Sequence, residues 1–133
     1  MSSDETAFAD RKKTAILIVD DEFLLAYDLA EEVESVGYDV VGPAHTVVSA
    51  LDLIEAEHTD CAILDVNLGG ETSYPIAEAL AARGIPFIFI TGYEAHQLQA
   101  EFCDASLLCK PVQGKSLHSK LQEMLNGRRQ GKK

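Results

Sequence analysis

Basic residues are scarce in this chain: 11 Lys and Arg stand against 22 Asp and Glu, for a formal net charge of −11. Nucleic-acid binding depends on neutralising phosphates with Lys and Arg, so the balance argues against a nucleic-acid partner. An acidic surface keeps a protein soluble, and acids that converge on one spot attract a divalent cation. Long apolar runs are also missing, since none reaches the ~18 residues that would span a bilayer. The opening "MSSDETAFADRKK" has neither the apolar core nor the cleavage pattern of a signal peptide. The expectation is a soluble, cytoplasmic protein with no membrane partner. Cysteine is sparse: Cys61, Cys103 and Cys109 are odd in number and lack CxxC spacing, which points away from a disulfide framework or zinc site. The four histidines, His45, His58, His96 and His118, show no metal-ligand spacing and read as surface or loop residues.

What is present is a globular composition, 47% hydrophobic and 25% charged, on 133 residues, enough for one domain. Strand-like and helix-like segments alternate. "AILIV" (15–19), "CAIL" (61–64) and "PFIFI" (86–90) are short continuous apolar runs, and "SLLC" (106–109) is another strand candidate. "YDVVGPA" (38–44) also reads as a strand, but Pro43 cannot donate to a ladder, which places it at a sheet edge or strand end. Between them, Leu25, Leu29, Val33 and Val36 recur at helical spacing before Gly37, and Val47, Leu51 and Ile54 follow Thr46, a plausible cap. "YPIAEALAARG" is a helix with Pro75 in its first turn and Gly84 as its stop. "EAHQLQAEF" is a short polar helix, and "GKSLHSKLQEML" a last one with Leu117, Leu121 and Met124 or Leu125 on one side. Residues 1–13 and 127–133 are expected to be flexible tails.

Five strands alternating with five helices imply an α/β fold with a parallel sheet covered on both faces. Strands buried on both sides need not alternate, which fits the continuous apolar runs. Right-handed crossovers and an edge second strand favour the order 2-1-3-4-5, the flavodoxin-like doubly wound arrangement.

In such a sheet all strands point one way, so their C-terminal ends share one rim. Strand one ends in Asp20-Asp21-Glu22, strand three in Asp65, strand four in Thr91-Gly92 and strand five in Lys110-Pro111. Carboxylates gathered there repel unless neutralised. Mg²⁺ suits them, a hard cation that takes oxygen ligands and keeps positions open for phosphate. Calcium wants more protein oxygens, and zinc wants Cys or His. Asp65 can then act as a carboxylate nucleophile towards a phosphoryl group. Lys110 supplies a compact positive charge and Thr91 a hydroxyl donor for the transferred oxygens, while Gly92 leaves room for them. Each residue alone has an ordinary structural reading as cap, turn or solvated loop residue. Four strand ends suited to one phosphate-and-metal site are harder to explain that way.

The segments "ILIVDDE", "CAILDVNLGG", "PFIFITGY" and "LLCKP", in that order and spacing, resemble the signature segments of response regulator receiver domains from two-component signalling. The resemblance covers residues 14–126. It implies that a histidine kinase or histidine phosphotransfer protein donates a phosphoryl group to Asp65. It also implies Asp21 as a direct Mg²⁺ ligand, Asp20 nearby or acting through water, the Asn67 backbone carbonyl as a further ligand, and Thr91 and Lys110 on the phosphoryl oxygens. Output would pass to an unknown partner through residues 94–126, or the domain would act as a phosphate sink. The family usually carries an aromatic residue three places before the Lys, where this chain has Leu107. Tyr93 is the nearest large aromatic that could share the switching role, and residues 93–102 are expected to change environment on phosphorylation. The Phe-x-Thr-Gly-Tyr pattern is similar to that of a subgroup of stand-alone bacterial regulators.

Two other classes share these residues. A metal-dependent phosphohydrolase would also use an aspartyl nucleophile, but Asn67 holds the place of the acid two residues on, and no cap insertion encloses a substrate. A receiver-like binding module that is never phosphorylated would have no need of the whole set Asp20, Asp21, Asp65, Thr91 and Lys110. The expected activity is a phosphoacceptor switch with self-catalysed phosphorylation and dephosphorylation, not a turnover enzyme.

Overall fold

The uninterrupted apolar runs become the centre of a five-stranded parallel sheet. In the computed structural model, which describes residues 13–92 and 106–131, they are β1 (Ala15–Val19), β3 (Cys61–Asp65) and β4 (Phe87–Thr91). Strands β2 (Asp39–Ala44) and β5 (Ser106–Cys109) lie at the two edges, in the order β2-β1-β3-β4-β5. This is the flavodoxin-like order expected. Successive side chains of the central strands enter opposite cores. Leu17, Val19, Ala62, Leu64 and Phe89 face one side, and Ile16, Ile18, Ile63, Ile88 and Ile90 the other.

Helices cover both faces. Helices α2 (Val47–Ala56) and α3 (Tyr74–Ala82) bury Val47, Ala50, Ile54, Ile76, Ala77 and Leu80 on the first core. On the second, α1 (Phe23–Ser35) contributes Leu29, Ala30 and Val33, and α4 (Gly114–Gly131) contributes Leu117 and Leu121. The Thr46 hydroxyl accepts from the Ser49 N–H at 3.1 Å, the N-cap bond that starts α2. Pro75 sits in the first turn of α3, where no intrahelical N–H is needed.

Two expectations need correction. Val36 does not continue the apolar stripe of α1: it is 44% exposed, because the helix ends at Ser35 and the chain turns through Val36. Ala26 and Ala30 complete the buried face instead. The stretch read as a tail after residue 126 is helical through Gly131. A single Gly at 127 costs a helix only about 1 kcal/mol, and the Arg and Gln that follow are good helix formers near the negative end of the dipole. The polar segment "EAHQLQAEF" and Tyr93 lie outside the described residues.

The edge strand β2 carries an irregularity that matters for the site. Leu17 pairs with Val41 but Val19 with Ala44, so Gly42-Pro43 forms a bulge in β2. Gly42 has φ +94°, and a Cβ there would sit 2.8 Å from the Ala44 nitrogen. Past the bulge, the Ala44 carbonyl accepts the Asp20 N–H at 3.0 Å, extending the pairing one residue beyond β1.

Candidate functional site

Parallel alignment brings the ends of β1, β3, β4 and β5 to one rim, where they border a cavity of about 380 Å³. Asp21 and Glu22 come from the turn after β1, Asp65 from the end of β3, and Asn67 and Gly69 from the loop beyond it. Gly92 and Lys110 complete the border from the ends of β4 and β5. Carboxylate oxygens of Asp20, Asp21 and Asp65 all lie within 4.8 Å of one another. Lys110 Nζ donates to Asp65 Oδ2 at 3.0 Å and lies 3.8 Å from both Asp20 Oδ2 and Glu22 Oε1.

The adjacent acids differ in burial. Asp20 is wholly buried and Asp21 only partly so. Asp20 Oδ1 accepts the Glu22 N–H at 2.9 Å, but Oδ2 is buried with no hydrogen-bond partner. Burial, first of all, pushes the Asp20 carboxyl up to about 7; the Glu22 N–H and Lys110 oppose that rise, and the neighbouring Asp65 charge adds to it. Burial disfavours the Lys110 ammonium as well, yet its bond to Asp65 and the charges of Asp65, Asp20 and Glu22 outweigh that and hold its pKa above the ordinary lysine value.

A divalent cation fits this donor set. A buried carboxylate oxygen with no hydrogen-bond donor, beside two further carboxylates, is an all-oxygen site of the kind Mg²⁺ prefers. The loop after β3 leaves space for it: Gly69, at φ +57°, lies so close that a Cβ would meet Asp21 Oδ2 at 3.1 Å. That loop is closed by the Leu68 N–H on the Glu71 carbonyl at 2.7 Å and by the Ser73 N–H on the Val66 carbonyl at 2.9 Å.

Thr91 is buried just behind the rim. Its hydroxyl donates to the Gly92 carbonyl at 3.1 Å, and its own carbonyl accepts the Lys110 N–H at 2.9 Å, tying the ends of β4 and β5 together. Thr91 does not itself border the cavity in this conformation. Leu107 pairs with Phe89 across the sheet and is 37% exposed. Of the residues singled out from sequence, the structure therefore gathers Asp21, Asp65, Asn67 and Lys110 around one pocket, with Asp20 buried within reach of the Asp21 and Asp65 carboxylates and Thr91 beside them. Leu107 sits further down β5.

Two contributors were not assigned to the site from sequence. Glu22 belonged to the acidic run after β1, and that adjacency was the available signal. His45 was read as an ordinary loop residue. Its Nδ1 lies 2.8 Å from the Asp20 carbonyl and must be the donor, because a carbonyl can only accept. The ring stacks on Phe23, with centroids 3.9 Å apart and planes 9° from parallel. Ala44 and His45 thus hold the Asp20 peptide groups from the β2 side.

Residues 16–122 match the response regulator receiver domain family. The chain is 32% identical over 116 residues to the phyllosphere-induced regulator PhyR of Methylorubrum extorquens, covering 84% of this chain and 43% of that protein. The chain thus corresponds to less than half the length of that curated relative. Among solved structures, SdrG from Sphingomonas melonis Fr1 is 45% identical with a TM-score of 0.76, covering 85% of this chain and 97% of that one. A CheY-like receiver domain protein from Methanospirillum hungatei JF-1 is 27% identical with a TM-score of 0.81, covering 90% and 99%. The residues that line the pocket all fall within the matched range, and the chain belongs to the response regulator receiver domain family of two-component signalling.

Proposed function

We propose that this domain accepts a phosphoryl group on Asp65 from a histidine kinase or histidine phosphotransfer protein in the cytoplasm, and signals through protein contacts made by residues 94–126 or drains phosphate as a sink. One observation carries the reading: Lys110 Nζ, brought from β5, meets Asp65 Oδ2 at 3.0 Å beside the carboxylates of buried Asp20 and partly buried Asp21. An Asp65 oxygen would attack phosphorus in line as the phosphorus–nitrogen bond to the donor imidazole breaks, and the imidazole leaves with a proton from solvent. Asp20, Asp21, Asp65 and the Asn67 backbone carbonyl would hold Mg²⁺, which supplies charge neutralisation for the phosphoryl oxygens. Lys110 would exchange its bond to Asp65 for one to a phosphoryl oxygen. The Thr91 hydroxyl would leave the Gly92 carbonyl for another.

That turn of Thr91 is the proposed start of the switch, with Tyr93 sharing the coupling role because Leu107 has no ring to offer. The Phe-x-Thr-Gly-Tyr pattern supports placing the chain with the subgroup that carries it. Amide NMR with and without beryllofluoride would show residues 93–102 shifting, and unmoved resonances there would remove this route.

The phosphoacceptor reading is tested by incubation with Mg²⁺ and acetyl phosphate, followed by intact mass. A gain of one phosphoryl group that Asp65→Asn abolishes is expected. Hydrolysis of donor with no retained adduct would point to a phosphohydrolase instead, and no reaction at all to a module that only binds.

A further inference from the structure

Glu22 stands out among the acids of the pocket because it is 65% exposed at the side chain while Asp20 and Asp65 are buried. Its backbone is fixed: the N–H is held by Asp20 Oδ1 at 2.9 Å and the carbonyl accepts the Ala26 N–H at 2.9 Å. A residue at the N-cap of α1 could turn its side chain back onto the free N–H groups of the first turn, but Glu22 makes no such bond. Its carboxylate instead borders the cavity, 3.8 Å from Lys110 Nζ.

Charge decides what this does. Asp20, Asp21, Glu22 and Asp65 are four carboxylates, set against the Lys110 ammonium and the one divalent cation that would bind beside them. One negative charge is left over, and without Glu22 the balance would be neutral. We infer that Glu22 is a specificity-determining residue, an electrostatic gate that slows phosphorylation by small anionic donors. It repels the entering dianion and competes with it for Lys110. A protein donor can offset that repulsion with contacts elsewhere on its surface, which a small molecule such as acetyl phosphate cannot.

The inference rests on the phosphoacceptor reading, and the experiment separates the two. Labelling by acetyl phosphate would be followed by intact mass at saturating Mg²⁺, over a series of NaCl concentrations, for the wild type, Glu22→Gln and Glu22→Asp. Beryllofluoride affinity would be measured on the same proteins. Glu22→Gln should label about threefold to tenfold faster at low salt and bind beryllofluoride more tightly. Its advantage should shrink as salt screens the repulsion, and Glu22→Asp, which keeps the charge, should stay near the wild type. If Glu22→Gln is no faster than a wild type that does label on Asp65, the gate is overturned and the phosphoacceptor reading stands. If the wild type neither labels nor binds beryllofluoride, both are overturned.

Discussion

Lys110 Nζ donates to Asp65 Oδ2 at 3.0 Å although β4 lies between their strands in the sheet. The lysine reaches across the end of β4, where Gly92 offers no side chain to block it. Lys110 is the one cation within 4 Å of the buried acids among the described residues, so it offsets the repulsion between Asp20 and Asp65. Lys110→Met should lower stability by roughly 1–3 kcal/mol in metal-free buffer, because it leaves buried carboxylates unpaired. Mg²⁺ should restore much of the loss. Urea denaturation with EDTA and with Mg²⁺ measures both, and equal midpoints for variant and wild type in EDTA would show that the pair contributes nothing to the fold.

The Asp20 peptide is gripped by its neighbours on the β2 side, and this grip can be loosened without touching a carboxylate. His45→Ala removes both the donor to the Asp20 carbonyl and the ring stacked on Phe23. Mg²⁺ affinity by calorimetric titration should fall about tenfold, as it does when groups that orient metal ligands are lost. His45→Gln, which can still donate, should recover part of it. An unchanged affinity in His45→Ala would leave Ala44 as sufficient support.

Gly42 acts one step further back. At φ +94°, and where a Cβ would sit only 2.8 Å from the Ala44 nitrogen and 3.3 Å from the Ile18 carbonyl oxygen, any side chain forces the bulge to open. Gly42→Ala should cost about 2 kcal/mol or more in stability by urea denaturation. Mg²⁺ affinity should weaken too, since the bulge aims both Ala44 and His45 at Asp20. A stable variant with full affinity would mean that the bulge can repack without moving Asp20.

The sheet was legible because its strands are apolar runs that need no partner to be recognised, and Pro43 marked an edge. The site was legible because parallel strands necessarily share a rim, so Asp21, Asp65 and Lys110 had to meet once the order was known. What escaped were properties that depend on side-chain direction. Two adjacent aspartates look equivalent in sequence, yet the turn after β1 buries Asp20 wholly and leaves Asp21 partly in water. The reach of Glu22 towards Lys110 depends on a side chain that does not cap its own helix. The His45–Phe23 stack joins a loop and a helix more than twenty residues apart through the bulge in β2, which no periodicity reveals. Val36 kept the helical spacing but fell just past the last turn.

The burial of Asp20 has a consequence for pH. Its carboxyl is raised from 3.8 to about 7 in the fold, so the folded state holds a proton that the unfolded chain has already released. A raised acid of this kind contributes fully below its unfolded pKa and loses that contribution as pH rises through the folded one. Stability in EDTA should therefore decline between about pH 4 and about pH 7 on this account. Asp20→Asn imitates the protonated form: its amide oxygen can still accept the Glu22 N–H, and it carries no charge. The variant should match the wild type near pH 4 and exceed it by up to about 4 kcal/mol near pH 8, since each unit of pKa difference is worth about 1.4 kcal/mol. Mg²⁺ should reverse the order at pH 8, because it stabilises the ionised wild type through binding and has less to hold in the variant. Urea midpoints for both proteins at the two pH values, with and without Mg²⁺, make the comparison. A gap that does not widen with pH would show that Asp20 is ionised in the fold throughout, with its buried oxygen satisfied by something other than a proton.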